Sequence, residues 1–169
     1  MERLVLLPRH RLAVERHAAA TYPEECCGVL MGRPLGDGGG TLVERVRPVD
    51  NERADSRGNR YLMHPETVLA AEKEARRLGL GVVGYYHSHP DHPSRPSDFD
   101  REHAWPGLSY VIVAVADGEV ADARSWRLTD DRSRFEQEEL VHEVPLPAAR
   151  RRAAARPSGQ RKGERLEER

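Results

Sequence analysis

Apolar residues along the chain fall into short runs of two different periods. Leu4–Leu7, Glu25–Gly32, Thr41–Val46, Gly81–Tyr86 and Leu108–Ala116 are bounded by Gly, Pro or charge and read as strands. Arg11–Thr21 is made of good helix formers and is closed by Tyr22-Pro23, which predicts a helix. A second helix begins at His64-Pro65; Val68, Ala71, Ala75 and Leu78 recur at helical spacing, predicting a core-facing stripe that Gly79 ends. Gly36–Gly40 is a turn signal that should fold the second and third runs into an antiparallel hairpin. Asp117-Gly118 is a two-residue turn into a strand over Glu119–Leu128, and Phe135–Val144 supplies a last strand. Asn51–Arg60 is polar and reads as a surface loop, followed by a short strand over Arg60–Met63. Hairpins with interspersed helices predict an α/β fold, a single mixed, curved sheet with helices packed against it.

The run Gly81–Tyr86 leads into His87-Ser88-His89-Pro90, and there the pattern acquires chemistry. Alternate side chains of a strand share a face, so His87 and His89 should lie together, continuing the face of Val83 and Tyr85. Pro90, Pro93 and Pro96 hold the next segment extended as far as Ser97. Ser97 followed three residues later by Asp100 has the form of a helix N-terminus, here a short helix over Asp98–Trp105. Asp100 is then the natural third ligand of a metal site. Two imidazoles and one carboxylate leave tetrahedral zinc one position short, the mark of a catalytic site, where water is acidified to a pKa of about 7.

His-x-His, seven residues, Ser-x-x-Asp, with a glutamate upstream in Glu-Cys-Cys-Gly, resembles the JAMM (MPN-plus) metallopeptidases, particularly their short bacterial members. The resemblance covers residues 1–145. It implies a JAB/MPN-like fold, with zinc (Zn²⁺) on His87, His89 and Asp100, Ser97 stabilising an oxyanion, and Glu25 as general acid and base. It also implies a substrate class: ubiquitin-like sulfur carriers, small proteins ending in Gly-Gly, from whose C-terminus cysteine is released in one described role. From the residues alone each position has a plainer reading. Asp100 would be a first-turn acid, Ser97 an N-cap, and Glu25, next to Glu24, an exposed glutamate at a strand's entrance. The family pattern decides for Glu25.

Composition bounds the rest. A chain of 169 residues with 38% apolar residues suits one domain, assigned to residues 1–145, followed by a charged tail over 146–169. The tail carries seven Arg and one Lys against three Glu and is expected to be solvated and disordered. A formal net charge of −1 advertises no nucleic-acid partner, and the preponderance of Arg over Lys is read as compositional bias. No run has the length of a signal peptide's hydrophobic region or a membrane span, and neighbouring Cys26 and Cys27 are no disulfide framework, so a reduced, cytoplasmic protein is expected. Cys27 would share a face with Glu25 and is read as packing, not as a ligand. Oligomeric state stays open. The alternative to a zinc hydrolase is a catalytically silent MPN-type protein-binding module, which intact ligands oppose. A zinc deaminase would need a Pro-Cys-x-x-Cys element that is missing.

Overall fold

The computed structural model describes residues 2–36, 38–51 and 63–144. In chain order its elements are β1 (Arg3–Val5), α1 (Pro8–Thr21), β2 (Cys27–Leu35), β3 (Gly40–Val49), α2 (Pro65–Arg77), β4 (Gly81–Pro90), α3 (Asp98–His103), β5 (Ser109–Ala116), β6 (Glu119–Leu128) and β7 (Phe135–Val141). The expected loop and strand over 52–62 and the charged tail lie outside the described residues. Helix α1 starts earlier than expected, because Pro8, with φ already set and no N–H to leave unbonded, is favourable in a first helical turn. Strand β1 accordingly stops at Val5, though the Leu6 N–H still donates to the Val141 carbonyl at 2.8 Å.

The strands run in the order β1-β3-β2-β4-β5-β6-β7. The β2–β3 hairpin is antiparallel as expected, β4 and β5 are parallel, and β1 pairs in parallel with both β3 and β7. One three-residue strand therefore closes the mixed, curved sheet on itself. Val14 and Ala18 of α1 pack against one face, with Leu4, Leu30, Val43, Tyr86 and Val111. Ala71 and Ala75 of α2 cover the other, with Val29 and Met31. The predicted stripe of α2 is core only at those alanines. Leu78 is 50% exposed, because it caps the helix and the chain turns away at Gly79, where φ is +70°.

A β-bulge corrects the expected face of β4. Leu30 pairs with Gly84 but Met31 with Val82, so Val83 is an extra residue. Val83 packs on the α1 side with Tyr86, while Val82 and Tyr85 pack on the α2 side. Only Tyr85 of the two expected residues precedes the histidines on their face. On the α1 side the ring of fully buried Tyr86 lies over Gly28, its cross-strand partner, and its hydroxyl meets His17 Nδ1 at 2.8 Å.

A methyl group at Gly28 would occupy the space of the Tyr86 ring. Gly28→Ala is therefore expected to destabilise the fold by about 1–3 kcal/mol, a loss of several degrees in Tm. Thermal denaturation checks this, and an unchanged midpoint would mean that the ring can move aside.

Candidate metal centre

Strand β4 continues through the motif to Pro90, paired in register on one side with β5, His87 opposite Ile112 and His89 opposite Ala114. That ladder fixes both imidazoles on one face. Ser97 then caps α3: its hydroxyl accepts from the Asp100 N–H at 3.1 Å, while Asp100 Oδ2 accepts from the Ser97 N–H at 2.6 Å and the Ser97 hydroxyl at 2.7 Å. The capping box aims the carboxylate back at β4. His87 Nε2 and His89 Nε2 come within 3.1 Å of each other, His87 Nε2 within 3.1 Å of Asp100 Oδ1, and His89 Nε2 within 3.5 Å of Asp100 Oδ2. All three residues are buried, and among the described residues they form the group of His, Cys, Asp and Glu side chains placed to hold one ion.

The spacing fits a first-row divalent metal. Ligand atoms at about 2.0–2.1 Å from a tetrahedral zinc are about 3.3 Å apart, close to the 3.1 Å between the two imidazole nitrogens and the 3.1 Å from His87 Nε2 to Asp100 Oδ1. The donor chemistry agrees. His89 Nδ1 lies 2.8 Å from the Pro93 carbonyl, which can only accept, so Nδ1 carries a hydrogen and the neutral ring offers Nε2 as its donor atom to an ion. Burial holds the His87 pKa down and so favours its neutral, ligating form. Burial alone would raise Asp100, but the His87 imidazole and hydrogen bonds from His87, His89 and Ser97 keep it well below the usual carboxylate range.

Glu25 lies two residues before β2 and is 4% exposed, not the surface residue of its plainer reading. Burial pushes the His89 pKa down, yet hydrogen bonds to Asp100 and Pro93 and the charges of Asp100 and Glu25 bring it up overall, so the Glu25 carboxylate acts on the centre electrostatically. Ser97 is exposed at the rim. Cys27 is buried opposite His87, near the carbonyls of Val49 and Asp50, and Cys26 packs on the far face with its thiol pushed up to about 11, mainly by burial. Both are free thiols, as expected.

Three positioning contacts were not foreseen from sequence. Ser88, fully buried between the histidines, accepts the Cys26 N–H on its hydroxyl at 2.8 Å and donates its own N–H to the Cys26 carbonyl at 3.1 Å, clamping the segment that carries Glu25. Asn51 donates its side-chain amide to the Glu25 carbonyl at 3.1 Å. The loop after β4 is pinned to β6, with the Ser94 hydroxyl on Asp122 at 2.6 Å and the Trp126 indole N–H on the Ser94 carbonyl at 2.9 Å. A polar residue in an otherwise buried His-x-His strand end was the signal available for Ser88; nothing local marks the other two.

Residues 7–129 match the family described as prokaryotic homologs of the JAB domain. The chain belongs to this JAB-domain family. Its relatives include the desampylase of Haloferax volcanii, 38% identical over 110 residues that span 64% of this chain and 74% of that one. A probable TtuB-protein conjugate cleaving protease of Thermus thermophilus is 36% identical over 113 residues, 66% of this chain and 71% of that one. The CysO-cysteine peptidase of Mycobacterium tuberculosis is 30% identical over 119 residues, 70% and 77% of the two chains. A protein from Salinibacter ruber, known from its solution structure, is 41% identical with a TM-score of 0.65, covering 86% of this chain and 95% of that one. The JAMM resemblance and the mixed α/β architecture are thereby borne out. Among the described residues of this JAB-domain protein, no helix is long and apolar enough to cross a membrane.

Purified protein supplied with zinc is expected to hold about one ion per chain, and His87→Ala and Asp100→Ala to lose most of it, since two protein ligands hold zinc weakly. Elemental analysis after dialysis reads this out. Full retention by both variants would reject the site.

Proposed function

We propose that this JAB-domain protein is a zinc-dependent hydrolase of a peptide or isopeptide bond at the C-terminus of a small ubiquitin-like sulfur carrier ending in Gly-Gly. The observation that carries the reading is the convergence of His87, His89 and Asp100 in a buried recess, with a buried Glu25 whose charge acts on His89. Relatives named for cleaving TtuB-protein conjugates and CysO-cysteine support the substrate class. The first name speaks for a conjugate and the second for release of a C-terminal cysteine.

His87, His89 and Asp100 would hold the ion, which when bound supplies Lewis acidity and acidifies water. Glu25 takes the proton of the attacking water and returns it to the leaving amine, the task of a buried carboxylate next to the reacting atoms. Ser97 turns its hydroxyl from Asp100 Oδ2 toward the oxyanion that develops on the substrate carbonyl. Asp100 keeps its place during that turn, because the Ser97 backbone N–H holds the same oxygen at 2.6 Å. The Pro93 carbonyl holds the His89 ring and its tautomer throughout. We assign this chemistry to residues 1–145, and the two free thiols suit a cytoplasmic setting.

Glu25→Gln keeps the shape of the side chain and cannot accept a proton. It is expected to retain zinc and to lose about 10²- to 10⁴-fold in hydrolysis of a carrier bearing one residue after Gly-Gly, followed by the mass of the trimmed product. Equal rates would remove Glu25 from the mechanism. If zinc-loaded wild type cleaves none of several carriers or isopeptide conjugates, the weight moves to a protein-binding module. A chain ending at Val144 is expected to hydrolyse the same substrate at the full rate, and a large loss would bring residues 145–169 into the active unit.

A further inference from the structure

Beside the metal ligands, between α2 and α3, lies a recess of about 210 Å³ that no catalytic step uses. Its walls are Val68, Tyr85, Phe99, Trp105 and Tyr110, and Asp100 forms its end toward the metal centre. The lining is held in place. Tyr85 and Tyr110, cross-strand partners, stand 6.1 Å apart between ring centroids, and Phe99 stacks on His103 at 4.1 Å. The Tyr110 hydroxyl accepts the Trp105 N–H at 2.7 Å, and the Arg132 guanidinium lies 5.3 Å from the Trp105 ring centroid. Trp105 itself is 65% exposed at the lip. An aromatic ring left this open beside an apolar recess gains by being covered when a ligand enters.

Register gives the recess a direction. Cys27 is opposite His87, so Glu25, two residues earlier on an antiparallel neighbour, is level with His89. Tyr85 and the recess lie on the other side of His87, toward the start of β4. If Glu25 hands its proton to the leaving amine, the amine departs past His89 and the acyl part of the substrate extends past Tyr85. A Gly-Gly terminus offers no side chain at its last two positions. The first side chain belongs to the residue before them, whose Cα in an extended tail is about 7 Å from that of the terminal glycine. Tyr85 is two residues, the same roughly 7 Å, behind His87 along its own strand.

We propose that the recess walled by Val68, Tyr85, Phe99, Trp105 and Tyr110 is the subsite for an apolar side chain immediately preceding Gly-Gly in the carrier tail, a specificity pocket on the acyl side of the scissile bond. This rests on the hydrolase reading and on Glu25 as the acid. At about 210 Å³ the recess has room for a branched aliphatic or phenyl group; of the ionisable residues described in its lining, Asp100 is committed to the metal centre and Ser97, and His103 Nδ1 is within 2.8 Å of the Phe99 carbonyl.

The test uses the full-length, zinc-loaded protein and a set of carriers that differ only in residue X of X-Gly-Gly-Cys, with X as Leu, Phe, Ala, Asp or Lys. Leu and Phe are expected to exceed Asp in kcat/KM by at least about tenfold, the discrimination an apolar pocket commonly provides. Val68→Glu should shift the preference toward Lys, and Trp105→Ala should erase most of the advantage of Leu over Ala, both with zinc content unchanged. The first variant adds a negative charge to the wall and the second alters only an exposed residue, so a folding defect in one leaves the other to decide. Equal cleavage of all five carriers by wild type, or an unaltered ranking in both variants, would overturn the subsite while leaving the hydrolase reading intact. No cleavage of any carrier would overturn both.

Discussion

Three electron-pair donors, two imidazole nitrogens and a carboxylate, converge within 4.8 Å of one another in a recess nearly closed to water. So many donor atoms in one poorly solvated place suit a cation, which would satisfy all three at once. The rest of the molecule is explicable as the means of holding it. The parallel β4–β5 ladder sets the pitch between the histidines, and the α3 capping box returns Asp100 to the same point, so one short helix end serves as structure and as a ligand mount.

Support comes from both faces of the sheet. On the α1 side, Tyr86 lies over Gly28 and bonds His17, locking the strand residue next to His87. Ser88 reaches the same side and ties β4 to the Cys26 backbone, which fixes the approach of Glu25. On the α2 side, alanines at 71 and 75 let the helix lie close to Val29 and Met31. Val68 of the same helix forms one wall of the aromatic recess beside Asp100.

The centre also has polarity. Glu25 and the His89 end of β4 lie on one side of His87, and the aromatic recess lies on the other. Under the proposed mechanism, a substrate bound across this line presents its amine to Glu25 and its acyl side chain to the apolar wall. Binding energy collected in the recess would position the scissile carbonyl without touching it, which is how remote contacts raise the rate of a chemical step.

The sequence by itself determined what depends on near neighbours. Strand alternation placed His87 and His89 together, Ser97 and Asp100 announced a helix cap, and the spacing between them matched one metal site, because a two-residue period and a capping box are local geometries. Most element boundaries followed from the same periods, with exceptions at helix ends: α1 starts at Pro8, α2 ends before Leu78 and α3 ends at His103, two residues short of Trp105. Tertiary structure decided the rest. Val83 changed faces because β2 imposes a bulge, the sheet closed because β1 pairs with both β3 and β7, and Glu25 became buried because Ser88 draws the entry of β2 against β4. The recess at Tyr85 likewise takes its walls from two helices and two strands distant in the chain. Each of these depends on which residues face one another across strands far apart in sequence, and no local period encodes that register.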